Sequence, residues 1–137
     1  GSLICFDSIY ERLALDSVRD GAGLMLISSN DSWFYDSAAV RQHLYQAQLR
    51  AIETGRTYVR AANTGISDVI TRYGRSTAQI GALVEGYEVR FAEFRTDKTL
   101  YDRVGNLLVL LCFVFLLSAP ATEPFLRRKK ARQDGKV

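Results

Sequence analysis

An α/β fold with an antiparallel extension is predicted by the order strand, helix, strand, helix and then a run of strands. Two short apolar runs, Ser2-Leu3-Ile4-Cys5 and Leu24-Met25-Leu26-Ile27, precede stretches that open with polar helix-starting residues. Between the second run and the next strand, Val40, Leu44, Ala47 and Ala51 recur at helical spacing. Near the other end, residues 104–122 carry no charge and a basic block follows them. Those observations predict one α/β domain followed by one membrane-spanning helix.

Each element has its local reason. Asp7 or Ser8 can cap a first helix running to about Asp20, with Ile9, Leu13 and Leu15 as its apolar residues and Gly21 and Gly23 as its stop. Leu24 to Ser28 is continuously apolar, the pattern of a strand covered by helices on both faces. Asn30-Asp31-Ser32 is turn chemistry, and Trp33-Phe34-Tyr35 places three aromatics in the loop. Ser37 to Glu53 forms the second helix, with Arg41, Gln48 and Arg50 off its apolar stripe and Gly55 ending it. Tyr58 to Ala62 and Ser67 to Thr71 are strands around an Asn63-Thr64-Gly65 bend, and Arg72 to Arg75 turns a hairpin. Ser76 to Ile80 and Gly86 to Phe94 alternate weakly, as antiparallel edge strands do.

Composition narrows the class. The 137 residues allow one domain with a core, and hydrophobic residues make up an ordinary 47%. Much of the net charge of +3 comes from the tail, where Arg127, Arg128, Lys129, Lys130, Arg132 and Lys136 face Asp134 alone. The rest of the chain is slightly acidic, which excludes a nucleic-acid-binding surface. Leu107 to Leu117 is purely apolar, and the uncharged stretch around it approaches the roughly 20 residues that cross a bilayer. Tyr101 and Phe125 flank it as interfacial aromatics, and the basic block after it puts the tail on the cytoplasmic side. Two cysteines make no disulfide framework, one histidine makes no metal centre, and no glycine-rich phosphate loop is present. No cofactor is expected. The chain opens on Gly1-Ser2 inside a strand, without a methionine start or signal peptide, so its first element is expected to be incomplete.

Cys5 carries the chemistry. A thiol on a strand-to-helix turn stands clear of the sheet, beside the unpaired N–H groups and positive end of the helix. Such surroundings favour a thiolate and offer donors to a developing oxyanion. A buried, inert core cysteine is the competing reading on position alone.

Four blocks in fixed order decide between them: Leu3-Ile4-Cys5-Phe6-Asp7, Leu26-Ile27-Ser28-Ser29-Asn30-Asp31-Ser32-Trp33-Phe34, Arg50-Ala51-Ile52-Glu53-Thr54-Gly55-Arg56 and Asn63-Thr64-Gly65. Together they resemble the C-terminal part of a nitrilase-superfamily (carbon–nitrogen hydrolase) domain, and within it the apolipoprotein N-acyltransferase family. The resemblance implies an αββα sandwich, its C-terminal part over residues 1–100, a transmembrane helix over 101–122 and a basic cytoplasmic tail over 123–137. It implies transfer of an acyl chain from a phospholipid, through a cysteine thioester, to the N-terminal amine of a diacylglyceryl-cysteine lipoprotein. Cys5 would be the nucleophile and Phe6 would lend its backbone N–H to the oxyanion. Asp7, Trp33, Phe34, Glu53 and Asn63 would support the site or bind substrate. The family's Tyr-Glu pair after the cysteine is Phe6-Asp7 here, and its general-base glutamate and its lysine belong upstream of Cys5. The chain alone is therefore expected to be inactive without the missing N-terminal part of the enzyme. The domain would lie on the outer face of a bacterial cytoplasmic membrane. Two alternatives stay open: a membrane-tethered amidase using the same thiol, which Asp7 favours, and a non-catalytic membrane-anchored module. Glu11-Arg12 reads as a helix-surface ion pair, and Asn30 and Asp31 as turn formers.

Overall fold

The computed structural model describes residues 1–118. Three parallel strands and one antiparallel strand form a sheet in the order β1-β2-β3-β4, with β1 at Ser2–Ile4, β2 at Leu24–Asn30, β3 at Thr57–Asn63 and β4 at Asp68–Ile70. Helix α1, Glu11–Arg19, connects β1 to β2, and α2, Ala38–Thr54, connects β2 to β3. Gly1–Arg103 forms one compact unit.

Helices cover only one face of this sheet, a correction to the reading of β2 as a strand buried on both sides. Strand order follows chain order, so both right-handed crossovers place their helices on the same face. Leu3, Met25, Ile27, Tyr58 and Ile70 point into the core on that face, with Val40, Leu44, Ala47 and Ala51 of α2 packed against them. On the opposite face Ile4 and Leu26 are 69% and 49% exposed.

The first helix breaks in two. Cys5–Ile9 is a 3-10 turn, Tyr10 is extended, and α1 starts only at Glu11. Its buried residues are Ala14, Leu15 and Val18, while Leu13 faces solvent. The break resets the helical phase at Tyr10, so spacing counted across it from Ile9 misassigns the face. Glu11 does not pair with Arg12; its carboxylate accepts from the Tyr101 hydroxyl at 2.5 Å, and Arg12 lies beside Asp16.

Helix α2 is capped at both ends as its flanking residues dictate. The Ser37 hydroxyl accepts from the Ala39 N–H, and Gly55 closes the helix at φ +64 with its N–H on the Ala51 carbonyl. A Cβ at Gly55 would meet the Thr99 methyl at 2.7 Å as well as the left-handed backbone. Gly55→Ala should lower stability by about 1–2 kcal/mol, measured as a drop in thermal midpoint by circular dichroism; an unchanged midpoint would contradict the capping role. Beside this cap, burial pushes the Tyr58 phenol up to about 12, partly offset by the Thr54 hydroxyl 3.3 Å away.

Beyond β4 the sheet does not extend as expected. Ser76 and Ile80 make single bridges to Ile70 and Ser67, and Gly86 to Phe94 forms no strand. Tyr87, Val89 and Phe91 are exposed, because no strand among the described residues runs beside them to complete a ladder. Helix α3, Leu100–Val104, follows. It is tied back through Asp102, whose carboxylate and carbonyl accept from Arg19 at 3.1 and 3.0 Å. Residues 107–118 are helical, and Leu107 to Leu117 present exposed apolar side chains. Among the described residues no helix is long and apolar enough to cross a membrane. Residues 119–122 of the expected span, and the basic tail, lie outside them.

Candidate functional site

The C-terminal ends of β1, β2 and β3 lie along one edge of the sheet, where ligands of parallel α/β sheets gather. Cys5 follows β1 directly, half-buried, and opens the 3-10 turn. Its backbone sits at φ +49, a left-handed conformation that costs a residue with a Cβ about 1–2 kcal/mol. Such a residue persists only where its surroundings over-determine it.

Three groups hold this turn. The Asp7 carboxylate accepts from the Ile4 N–H at 3.0 Å, and the Ser8 hydroxyl donates to the Cys5 carbonyl at 2.8 Å. From α2, Nε2 of His43 lies 3.2 Å from the same carbonyl and 3.1 Å from the Ser8 hydroxyl. The Phe6 N–H falls in the first turn, ahead of any carbonyl within the turn that could accept it.

Behind the turn is a buried polar network. His43 Nδ1 is 3.1 Å from one oxygen of Asp31, and that oxygen also accepts from the Ser29 hydroxyl at 2.6 Å. The other Asp31 oxygen pairs with Arg60 Nη2 at 2.5 Å, and Arg60 Nε donates to the Ile66 carbonyl. The side chains of Asp31 and Arg60 are both completely buried. The Ser8 hydroxyl proton lies on the Cys5 carbonyl, so at Nε2 the ring is the donor, to the Ser8 oxygen and the Cys5 carbonyl, while Arg60 Nη2, 3.2 Å from Nδ1, donates to that nitrogen beside Asp31. The ring is also fixed by its faces: Phe6 stacks on it at 5.6 Å and 25°, and Phe34 meets it edge-on at 5.6 Å and 84°.

The other residues expected at the site are dispersed. Phe34 touches Phe6 at 6.0 Å, bringing the aromatic loop against the Cys5 turn, but Trp33 beside it is 80% exposed. Asn63 ends β3 and donates from its side chain to Asn30 at 3.3 Å, and its carbonyl accepts from the Asp31 N–H. Asn30 makes the turn, with its side-chain oxygen on the Ser32 N–H. Asp31 does not point into the turn; its carboxylate is the centre of the buried network. Glu53 lies near the end of α2 and pairs with Arg50 at 2.8 Å, and Arg50 in turn donates to the Ile9 carbonyl. Burial raises the Glu53 carboxyl above its usual range, against the lowering effect of Arg50 and with a further push from Glu11. Glu53 therefore reaches the far end of the Cys5 turn through Arg50.

His43, Arg60 and Arg50 were not among the expected site residues, and Arg50 was placed off the buried stripe of α2. A signal for all three was present. His43 and Arg50 fall at helical spacing with Ala47 and Thr54, and all four are buried. Arg60 shares the helix-covered face of β3 with Tyr58, two residues earlier. Charged or polar residues at apolar-phase positions mark a buried network.

Comparison with known proteins places this geometry in context. The carbon-nitrogen hydrolase family profile matches residues 1–86. The chain is 43% identical over 118 residues to the apolipoprotein N-acyltransferase of Rhodopseudomonas palustris, covering 84% of this chain and 22% of that protein. The apolipoprotein N-acyltransferase of Haemophilus influenzae is 36% identical over 130 residues, covering 92% of this chain and 24% of the relative. The chain thus spans under a quarter of the length of these relatives. Two solved structures share the fold. A carbon-nitrogen hydrolase from Helicobacter pylori G27 superposes with a TM-score of 0.56 at 16% identity, covering 62% of this chain and 37% of that one. Nit3 of Saccharomyces cerevisiae, a member of branch 10 of the nitrilase superfamily, gives 0.52 at 24% identity, covering 60% and 33%.

Proposed function

The chain belongs to the carbon-nitrogen hydrolase family, and from that premise we propose that it is the C-terminal portion of an apolipoprotein N-acyltransferase, with Cys5 as its acyl-carrying nucleophile. The observation that carries this reading is the left-handed backbone of Cys5, half-buried where a parallel strand runs directly into a 3-10 turn. Identity of 43% to an apolipoprotein N-acyltransferase supports the choice within the family.

The Cys5 thiolate attacks the ester carbonyl of a phospholipid; the carbonyl oxygen takes the charge and the Phe6 N–H stabilises it. The C–O bond to the glycerol breaks, and the leaving alkoxide takes a proton to give a lysophospholipid. The α-amine of a diacylglyceryl-cysteine lipoprotein then attacks the thioester, an amide forms, and the thiolate is released. A cysteine suits this division because a thioester is both easily formed and readily attacked by an amine. Trp33 provides an aromatic wall beside the turn, and Asp7 and Glu53 set the turn's geometry, Glu53 through Arg50. Asn63 closes the edge of the site at the end of β3.

The general base and the lysine that the resemblance implies belong upstream of the cysteine, in the N-terminal part of the enzyme. The exposed apolar face around Ile4 and Leu26 fits the same partner, as the surface that its sheet covers. In this reading the apolar stretch within 101–122 is the membrane-crossing segment, the basic block after it stays cytoplasmic, and the domain of residues 1–100 lies on the outer face of the bacterial cytoplasmic membrane. The charge-free stretch at 104–122 and the basic block after it support that topology. Asp7, in place of the acyltransferases' glutamate, supports the amidase alternative.

A test joins this chain, in membranes, with the upstream part of the Rhodopseudomonas palustris relative and adds phospholipid carrying a radiolabelled acyl chain. Label should appear on the chain in a hydroxylamine-sensitive form and vanish completely in Cys5→Ala. Label that survives Cys5→Ala, or amide hydrolysis without acyl transfer, would overturn the acyltransferase reading. A chain that takes no label beside a competent upstream part would favour the non-catalytic module.

A further inference from the structure

Cys5 occupies a backbone conformation that a residue with a Cβ leaves unless it is held. Two of its restraints are local. Asp7 on the Ile4 N–H and Ser8 on the Cys5 carbonyl both belong to the turn itself. The restraint that reaches the Cys5 carbonyl from a distant element is His43, 38 residues away in sequence, with Nε2 at 3.2 Å from that carbonyl and 3.1 Å from the Ser8 hydroxyl. His43 cannot turn away: Arg60 Nη2 donates to Nδ1 beside Asp31, and Phe6 and Phe34 pack on the ring. Asp31 is in turn anchored to the sheet through Arg60 of β3 and Ser29 of β2.

We propose that His43 is the positioning residue of the Cys5 thiol. A relay from Arg60 through Asp31 and His43 to Ser8 transmits the rigidity of the sheet to the Cys5 carbonyl and keeps residue 5 left-handed, with its side chain presented beyond the strand end. Both ring nitrogens are engaged, Nδ1 by Arg60 beside Asp31 and Nε2 by the Ser8 oxygen and the Cys5 carbonyl, so the ring acts by holding geometry and not as a proton acceptor from substrate. This extends the acyltransferase reading by naming what orients its nucleophile, and it rests on Cys5 being that nucleophile. Its test reads the thiol directly, so the two can fail separately.

The measurement is the rate of Cys5 alkylation by iodoacetamide in the full chain, in detergent micelles, with Cys112 replaced by serine and folding followed by circular dichroism. Two amides separate the ring nitrogens. Asparagine reaches the position of Nδ1 and keeps the Asp31 contact, whereas glutamine reaches the position of Nε2 and keeps the contacts to Ser8 and the Cys5 carbonyl. His43→Asn should slow alkylation about tenfold as the strained conformer of residue 5 loses its restraint, while His43→Gln should stay near the unsubstituted rate. Ser8→Ala should slow it by an intermediate factor. A histidine that merely fills the core predicts otherwise: Asn and Gln would alter melting temperature without separating in rate, or both would speed alkylation as the thiol loosens. Either of those results overturns the proposal. Should the Asn–Gln split appear while phospholipid never acylates Cys5, His43 stands as the positioning residue and the choice of acyl donor falls.

Discussion

Asp31→Ala should lower the unfolding free energy of the chain by about 3–5 kcal/mol, the usual penalty for leaving a buried charge without its partner. The carboxylate it removes is completely enclosed and serves three partners: Arg60, His43 and Ser29. Arg60 already has one terminal nitrogen, Nη1, with no protein acceptor. Without Asp31, its guanidinium would keep only neutral partners, the Ile66 carbonyl on Nε and His43 Nδ1 on Nη2, while remaining buried beneath the sheet. Asp31→Asn keeps an acceptor oxygen and should lose less, about 1–3 kcal/mol, as a hydrogen bond to a charged group weakens without vanishing. Replacing both partners, as Asp31→Leu with Arg60→Met, should recover much of the loss, because no unpaired charge then remains. Urea unfolding followed by far-ultraviolet circular dichroism measures all three. A loss under about 1 kcal/mol for Asp31→Ala, the worth of an exposed ion pair, would show that this network does not hold the sheet edge together.

Gly65→Ala should lower stability by about 2–3 kcal/mol. Its cause is space alone. Gly65 is not among the glycines with positive φ, but a Cβ there would lie 2.1 Å from an Asp31 carboxylate oxygen and 2.6 Å from its carboxyl carbon. The bend after β3 therefore closes directly over the carboxylate that Arg60 neutralises, and a methyl group must push Asp31 off its partners. That mechanism makes a sharper statement than the magnitude. In an Asp31→Ala background the carboxyl group is gone and only the Cβ of residue 31, 2.7 Å away, still stands in the way, so Gly65→Ala should then cost clearly less than in the unsubstituted chain. Equal losses in the two backgrounds would mean that Gly65 is required for another reason. Alkylation of Cys5 in the Gly65→Ala chain should also slow, since displaced Asp31 no longer orients His43.

Local sequence carried the elements whose neighbours agree with them. Ser37, the Val40-Leu44-Ala47-Ala51 stripe and Gly55 mark α2 to within a residue at each end. The Leu24 run and the Tyr58 run mark β2 and β3, and Cys5 stands at the strand end where its apolar lead and polar successor put it. The first helix was misread because Tyr10 is extended between two helical segments, and nothing in its composition marks a break. Gly86 to Phe94 was misread because a strand needs a partner ladder, and alternation shows only that a segment could join one. Asp31 was read as a turn former because Asn30-Asp31-Ser32 favours turns; Asn30 makes that turn, whereas the next carboxylate rotates inward.

The sequence by itself determined the class of fold, the alternation of strand and helix, the turn that carries Cys5, and membership of the carbon-nitrogen hydrolase family. Those follow from neighbours within a few residues and from motifs in fixed order. Only the tertiary structure decided that both helices lie on one face, that Asp31, His43 and Arg60 meet behind Cys5, and that Gly65 owes its identity to a carboxylate rather than to its own backbone. The physical reason is burial. A charge or an imidazole takes its meaning from the partner that satisfies it away from water, and these partners come from strands and a helix 12 to 29 residues apart.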